Sequence, residues 1–411
     1  MMPFNILIAD FNKENYYPLS LTRPLWTLRS GCFEQHERFR KLFQDDKRLT
    51  FLASEEMCSL YSDIRTTSTL PAGEDILIIN SLMNIIPDIS DLNKSEVFYN
   101  RNVLAYAFIK KDDLIKISVS NGCIESLTGF SKNITDIIFP KYIWEIPLMN
   151  GEIIKNDFKF FSEKSNCKIT VSGPEKLFYC SDSAEIEPFV SVSTKKGPVI
   201  IDGNAEISSF SRIEGPAYIG KNTCIFRANI REGSSFGISC RIGGEVEDSV
   251  FNSFSNKYHD GFIGHAYIGS WVNLGAMTTN SDLKNDYTNV KVNLDGKLHD
   301  SESPKVGAVV GDFVKTSIGT LINTGSVIGS CSMTVFSGRM TPDFIPPFSL
   351  FIKNKLRSAK SFDSVISTIK TQMSRRGCNL SPEHKSILRN LYEKTLKDNL
   401  RIFEEWNKKL N

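Results

Sequence analysis

The second half of this chain carries apolar residues on a six-residue grid, and that grid restricts the fold more than any other feature. Ile201, Ile207, Ile213, Ile219 and Ile225 stand six apart. The register slips by one and resumes at Ile230, Phe236 and Ile242, returns at Ile263, Ile268 and Leu274, and again at Val310, Ile322 and Ile328. An ordinary half-buried strand alternates with period two, so a sandwich does not generate this pattern. A period of six is the mark of a parallel β-helix: each unit forms one flat side of a three-sided coil, and the recurrent side chain points inward. The coils then stack and bury a continuous column, each touching only its neighbours. Gly follows several grid positions (Gly220, Gly237, Gly243, Gly264, Gly269, Gly275, Gly311, Gly329), where the chain turns a corner. Residues 186–336 are expected to form a left-handed parallel β-helix.

The flanking segments differ. Residues 4–9 (FNILIA), 75–80 (DILIIN) and 102–109 (NVLAYAFI) read as buried strands, and residues 34–43 have helical spacing, which together suit an α/β domain. Two stretches, 245–260 and 278–304, break the grid and are expected as loops, the kind of insertion that often lines a binding face. After Pro342, Pro346 and Pro347 the tail reads as helix: Ser381-Pro382-Glu383 places a cap, a first-turn Pro and an acid. Ile387, Leu388, Leu391, Leu396, Leu400 and Phe403 then suggest one apolar face. The expected domains are an α/β unit at 1–178, the β-helix at 179–340 and a helical tail at 341–411.

Composition narrows the function classes. A formal net charge of +2 on 411 residues argues against a nucleic-acid partner or a polybasic membrane anchor. No apolar run approaches a membrane span, and the first residues lack the parts of a signal peptide. The nine cysteines show no CxxC spacing, which fits reduced thiols in a cytoplasmic protein. Among only five histidines, His259 and His265 flank residues 260–264. Acyl transfer from a thioester to an amine or hydroxyl needs a base, and imidazole titrates in the useful range. A surface His making a local turn contact is the plain alternative.

The stretch 243–276 (GGEVEDSVFNSFSNKYHDGFIGHAYIGSWVNLGA) resembles the acetyltransferase domain of bifunctional uridyltransferase/glucosamine-1-phosphate acetyltransferases, and a divergent branch of that family in particular. The resemblance implies His259 as general base on a sugar amine, with His265 a structural residue at a coil corner. It places the family's substrate-holding Asn on Asn273, its Ala near the acyl donor on Ala276 and a family Glu on Glu245. Archaeal relatives suggest Asn280 and Lys284 in TTNSDLK. The family's phosphate-binding Lys falls on Glu247, its Tyr after the base on Phe262 and one of its Arg positions on Asn229. Arg227, Arg231 or Lys257 is left to supply the phosphate contact.

The N-terminal domain is similar to the same branch. Residues 17–25 (YPLSLTRPL), Asn80, Trp144-Glu145 and Asn150-Gly151-Glu152 carry the likeness. It implies Asn80 beside a nucleotide, with Mg²⁺ as cofactor; Arg23 and Arg29 could clamp phosphates, a structural or solvated role being the plain alternative. The Gly-rich phosphate loop of such enzymes is replaced by ADFNKE at 9–14, and the usual metal-binding Asp falls on Leu82, so no metal ligand can be named.

The resemblance therefore implies a two-domain transferase of nucleotide-sugar metabolism, in which acetyl-CoA acetylates an amino-sugar phosphate. Nucleotidyl transfer from UTP or dTTP to a sugar 1-phosphate would give a UDP-N-acetylglucosamine-type product. The expected partners are a sugar phosphate, a nucleoside triphosphate and coenzyme A derivatives, and the expected assembly is a homotrimer. Two other readings stay open: a monofunctional acyltransferase whose first domain only binds a nucleotide or sugar, and a non-catalytic sugar-nucleotide sensor.

Overall fold

The apolar runs of the first domain become the centre of a seven-stranded sheet. In the computed structural model, which describes residues 4–44, 47–90, 92–161, 169–359 and 361–408, strand Asn5–Ala9 lies between Leu49–Leu52 and Ile76–Asn80 and runs parallel to both. Strand Val103–Ile109 pairs antiparallel with Ile76–Asn80 on the far side. Every residue of these last two strands is buried, which is why they read as unbroken apolar runs rather than alternating ones. Helix Gln35–Leu42 follows a capping box in which Glu34 and Glu37 satisfy each other's backbone N–H groups.

The grid becomes a left-handed β-helix. Partner residues on neighbouring coils lie 18 apart (Val199 and Ala217) or 17 apart (Ala217 and Ser234), close to three hexapeptides. The ladder starts at Val171–Ser172 and ends at Ser349–Ile352, so the coils extend past residues 179 and 340 at both ends. Its three faces have different fates.

On the first face, Cys180, Ile201, Ile219, Phe236, Phe251, Ile268, Val310, Ile328 and Ile345 stack inward in register. Their neighbours, pointing outward, include Ile200, Tyr218, Val250, Tyr267, Val309 and Val327, and these are buried too, because the N-terminal domain packs on them. The helix Glu145–Asp157 supplies part of that contact. Asn150 Nδ2 donates to Gly233 O (2.7 Å) and Ser235 Oγ (2.9 Å), while its Oδ1 accepts from Gly31 N (2.6 Å). A side chain at Gly151 would press on Pro216. Asn150 and Gly151 of the Asn-Gly-Glu motif thus belong to this docking surface, while Glu152 is exposed and pairs with Lys155.

A buried ion pair closes the interface. Arg23 Nε and Nη2 donate to the two oxygens of Asp312 (3.0 and 2.8 Å), which also accepts from Thr22 Oγ1 (2.6 Å) and Ser270 N (2.7 Å). Burial alone lowers the Arg23 pKa, but the Asp312 carboxylate, with Tyr61, Glu34 and Tyr267 adding to it, outweighs that and holds the group above its ordinary value.

Two expectations are corrected. Residues 245–260 are not a loop: they continue the coil, with Val246, Phe251 and Lys257 at inward positions. The apolar grid missed this coil because a lysine stands in the column. The second insertion is a true excursion, but hairpin Lys291–Leu294/Lys297–Asp300 buries Val292 and Leu294 against the N-terminal domain, and His299 lies 5.3 Å from the Tyr142 ring.

The tail contains helix Phe362–Ser374 and helix Pro382–Lys408, the latter capped by Ser381 Oγ accepting from His384 N. Ile387, Leu388, Leu391 and Phe403 are buried, whereas Leu396 and Leu400 are exposed and do not share that face. The eight described cysteines are free thiols. Among the described residues no helix is long and apolar enough to cross a membrane.

The Arg23→Ala variant leaves Asp312 buried without its counter-charge. It is expected to lower stability by about 3–5 kcal/mol, measured by urea unfolding of the full chain. Wild-type stability in this variant would contradict the role given to the pair.

Candidate active site

The corner between the second and third faces carries the residues of interest. The second face is built from Glu206–Ile207, the starts of strands Cys224–Ile230 and Arg241–Glu247, which run on round the corner, then Asn256–Lys257, Asn273 and Lys315–Thr316, one step per coil. Its inward positions run Ile207, Ile225, Ile242 and then Lys257. Just beyond each strand the chain turns the corner, so Tyr258-His259-Asp260 lies over Gly275-Ala276-Met277, and Met277 N donates to Asp260 O (2.8 Å).

Lys257 is only 1% exposed, although it occupies a slot that isoleucine fills on the three preceding coils. Its Nζ donates to Gly243 O (2.9 Å) and His259 O (2.8 Å), which ties the corner of one coil to the backbone of the coil before. No carboxylate is bonded to it, so burial pushes its pKa down to about 8. The neighbouring Gly244 sits at φ +69°, and a Cβ there would lie 2.8 Å from Nζ, so the close approach needs glycine.

The His259 side chain is exposed, with its ring edge-on to Tyr258, and no hydrogen bond or ion pair engages it among the described residues. On the adjacent coil Asn273 Oδ1 accepts from Asn256 Nδ2 (2.6 Å), leaving its own amide N–H groups to point elsewhere. Ala276 follows three residues later on the same corner. Lys257, His259, Asn273 and Ala276 are therefore brought onto two successive coils.

The other expected residues lie apart from these. Glu245 is on the third face, where Arg231 pairs with Glu247 (2.8 Å) and more loosely with Glu245 (3.7 Å). Asn280 is buried and bridges Gly264, accepting from its N–H and donating to its carbonyl (both 2.9 Å). Lys284 lies in the excursion beside Asp286 (3.4 Å), on a separate cavity of about 510 Å³. His265 is 7% exposed at its coil corner, with Nδ1 2.7 Å from Asp282 and Nε2 3.5 Å from Asp248. Burial raises the Asp248 carboxyl; at Asp282 burial pushes the same way, but the His265 hydrogen bond and charge win and hold it low.

In the N-terminal domain the structure departs from the expected phosphate clamp. Arg23 is spent on Asp312. Arg29 is 2% exposed and donates through Nη1 to Cys32 O (2.8 Å), while its backbone meets the Tyr267 hydroxyl. Asn80 is 1% exposed, donating to Leu104 O (2.7 Å) and accepting from Leu82 N (2.9 Å). Leu82 is fully buried in the core. These residues do not fit Mg²⁺, and among the described residues no cluster of three His, Cys, Asp or Glu side chains is placed to hold a metal.

Comparison with known proteins agrees with this architecture. Residues 5–166 match the family described as sugar nucleotidyl transferase. The chain is 36% identical over 168 residues to a bifunctional sugar-1-phosphate nucleotidylyltransferase/acetyltransferase of Sulfurisphaera tokodaii, covering 38% of this chain and 39% of that protein. It is 22% identical over 353 residues to the bifunctional protein GlmU of Thermotoga petrophila, covering 79% of this chain and 68% of that protein. The chain is a relative of these bifunctional proteins. A hexapeptide transferase family protein from Anaplasma phagocytophilum aligns with 52% of this chain and 95% of its own at 12% identity, with a TM-score of 0.21. That loose superposition adds nothing to the coil register described above.

The buried lysine has a measurable signature. Its folded pKa of about 8 lies below the unfolded value of 10.5. Between those values the unfolded chain binds more protons, so stability rises with pH there. The stability of wild type relative to Lys257→Met is expected to increase from pH 8 to 10.5, measured by urea unfolding at each pH. A flat difference would contradict the buried charge.

Proposed function

We propose that this protein is a cytoplasmic sugar acyltransferase of nucleotide-sugar biosynthesis, using acetyl-CoA to acetylate an amino-sugar phosphate such as glucosamine 1-phosphate. The observation that carries this reading is His259: an imidazole with no nitrogen engaged among the described residues, on an exposed coil corner, with its backbone clamped by Lys257 and beside Asn273 and Ala276. In the reaction the sugar amine attacks the thioester carbonyl, His259 accepts the amine proton, and the coenzyme A thiolate leaves and is protonated. Asn273 is suited to hold the amine or the acyl oxygen through its unused N–H groups. Clamping the corner fixes the base without adding a charge next to it on the outer surface.

The same corner supports a homotrimer. Phe189 and Phe210 on two early coils and Met277, Ile318 and Phe336 on three later ones are exposed at this corner, and Arg227, Gly244 and Gly261 turn it on the coils between. Two exposed apolar patches on one corner favour burial against another copy by cyclic association. Since removal of the N-terminal domain would bare the first face, the test uses the whole chain: light scattering at micromolar concentration is expected to give a trimer, and a monomer would refute it.

A second activity, nucleotidyl transfer from UTP or dTTP to a sugar 1-phosphate, is favoured by the family match of residues 5–166. With Arg23 and Arg29 engaged internally, its phosphates must be bound by other groups. Pyrophosphate release decides the matter; none with any nucleotide leaves the monofunctional acyltransferase.

His259→Ala is expected to lower acetyl transfer by about 10²–10⁴-fold, followed by release of the coenzyme A thiol, with melting temperature and oligomeric state unchanged. His265→Ala, which leaves Asp282 and Asp248 facing each other, is expected to lower the melting temperature and to cost far less of the rate per folded molecule. The reverse pattern would refute His259 as base.

A further inference from the structure

The second face of the β-helix holds an outward column that the acyl-transfer reading does not use in full. Arg241, Asn256, Asn273 and Lys315 stand in register on four successive coils. Helix Phe362–Ser374 overhangs them: its apolar side grips the coil corner at Trp271, Phe313 and Phe348, and its polar flank turns toward the column. Between helix and column lies a cleft of about 480 Å³, and Arg375 and Arg376 at the end of the helix line it together with Arg241 and Lys315. Four cationic side chains thus converge, and no carboxylate is among the residues that line the cleft. Arg241, Arg375 and Arg376 make no ion pair among the described residues, whereas Arg212 pairs with Glu214 and Arg231 with Glu247.

A cluster of like charges around a half-buried cleft is unfavourable unless an anion completes it. The local electrostatics carry that mark. Lys315 is held below its ordinary pKa by burial, and Arg376 by burial and by the charge of Arg241. The polar groups are also of the kind that receive phosphate: guanidinium forks, an ammonium, side-chain amides and the hydroxyls of Thr368 and Thr371. The volume exceeds what a lone inorganic ion would fill.

We propose that this cleft binds the pyrophosphate of a nucleotide ligand, with Arg241, Lys315, Arg375 and Arg376 as the phosphate-binding groups. The inference does not depend on His259 acting as a base. Two sources share this chemistry, a coenzyme A thioester and a nucleoside-diphosphate sugar, and each carries a pyrophosphate on a nucleoside.

Isothermal titration of the full-length protein with coenzyme A, with UDP-N-acetylglucosamine and with inorganic pyrophosphate tests it. At least one of the nucleotides is expected to bind, with affinity falling as salt is raised. Arg241→Gln and Arg376→Gln are each expected to weaken that binding by about ten- to a hundredfold. Neither side chain is paired, so both variants are expected to keep or gain melting temperature; if one misfolds, Arg375→Gln replaces it. Binding of coenzyme A alone identifies an acyl-donor site and binding of the UDP-sugar alone a nucleotide-sugar site. No nucleotide binding at millimolar concentration, or binding that all folded variants retain, overturns the proposal.

Discussion

The interaction on which this molecule depends is the burial of one β-helix face from both sides. A coil normally buries only its inward column and leaves the outward residues to solvent. Here Ile200, Tyr218, Val250, Tyr267, Val309 and Val327 are apolar or aromatic and face outward, yet they lie under the N-terminal domain. Hydrophobic contact alone would allow sliding along a face whose coils repeat so regularly. The polar links remove that freedom. Arg23 must meet Asp312, Asn150 must meet Gly233 and Ser235, and the backbone of Arg29 must meet Tyr267. Each of these is a directional bond made in a water-poor interface, where a missed partner costs more than the bond contributes.

That docking decides where chemistry can take place. With the first face covered and its corner toward the second face capped by the tail helices, the opposite corner is left for substrates. His259, Ala276 and the exposed apolar patches all lie there. The tail helix contributes a second limit, because it holds a cationic flank above the second face. The site residues and the cleft thus share one face, meeting at Asn273, and the shared position follows from the coil register rather than from any loop.

Most of this fold was legible in the sequence, since the inward column is a direct physical record of the coil. The record failed where the column holds a polar residue. Lys257 stands in line with Ile242, and its ammonium reaches backbone carbonyls by running the aliphatic stem through the interior. A grid of apolar residues reads such a position as a gap. The tail helix shows a different limit: Leu396 and Leu400 match the helical period, but a period does not say where the partner surface stops. The outward face pairing was hidden for a similar reason. Tyr218 or Val250 in an outward slot has no meaning until the domain that covers it is known.

The arginines carry the sharpest lesson about the site. Arg23 and Arg29 are the sequence's candidates for phosphate contacts, and the planar fork that suits a phosphate suits a carboxylate equally. Sequence similarity preserves the residue without recording its partner. In this chain the partner of Arg23 is Asp312, nearly three hundred residues away, and the partners of Arg29 are a nearby carbonyl and, more distantly, Glu34 and Glu37. Leu82 is likewise buried in the core that the N-terminal domain shares with the first face of the β-helix. A guanidinium moved into a buried pair is lost to a ligand, because recovering it means leaving Asp312 as an unpaired buried charge. Among the described residues Arg241, Arg375 and Arg376 have no such carboxylate partner, and these three converge on the cleft beside Asn273.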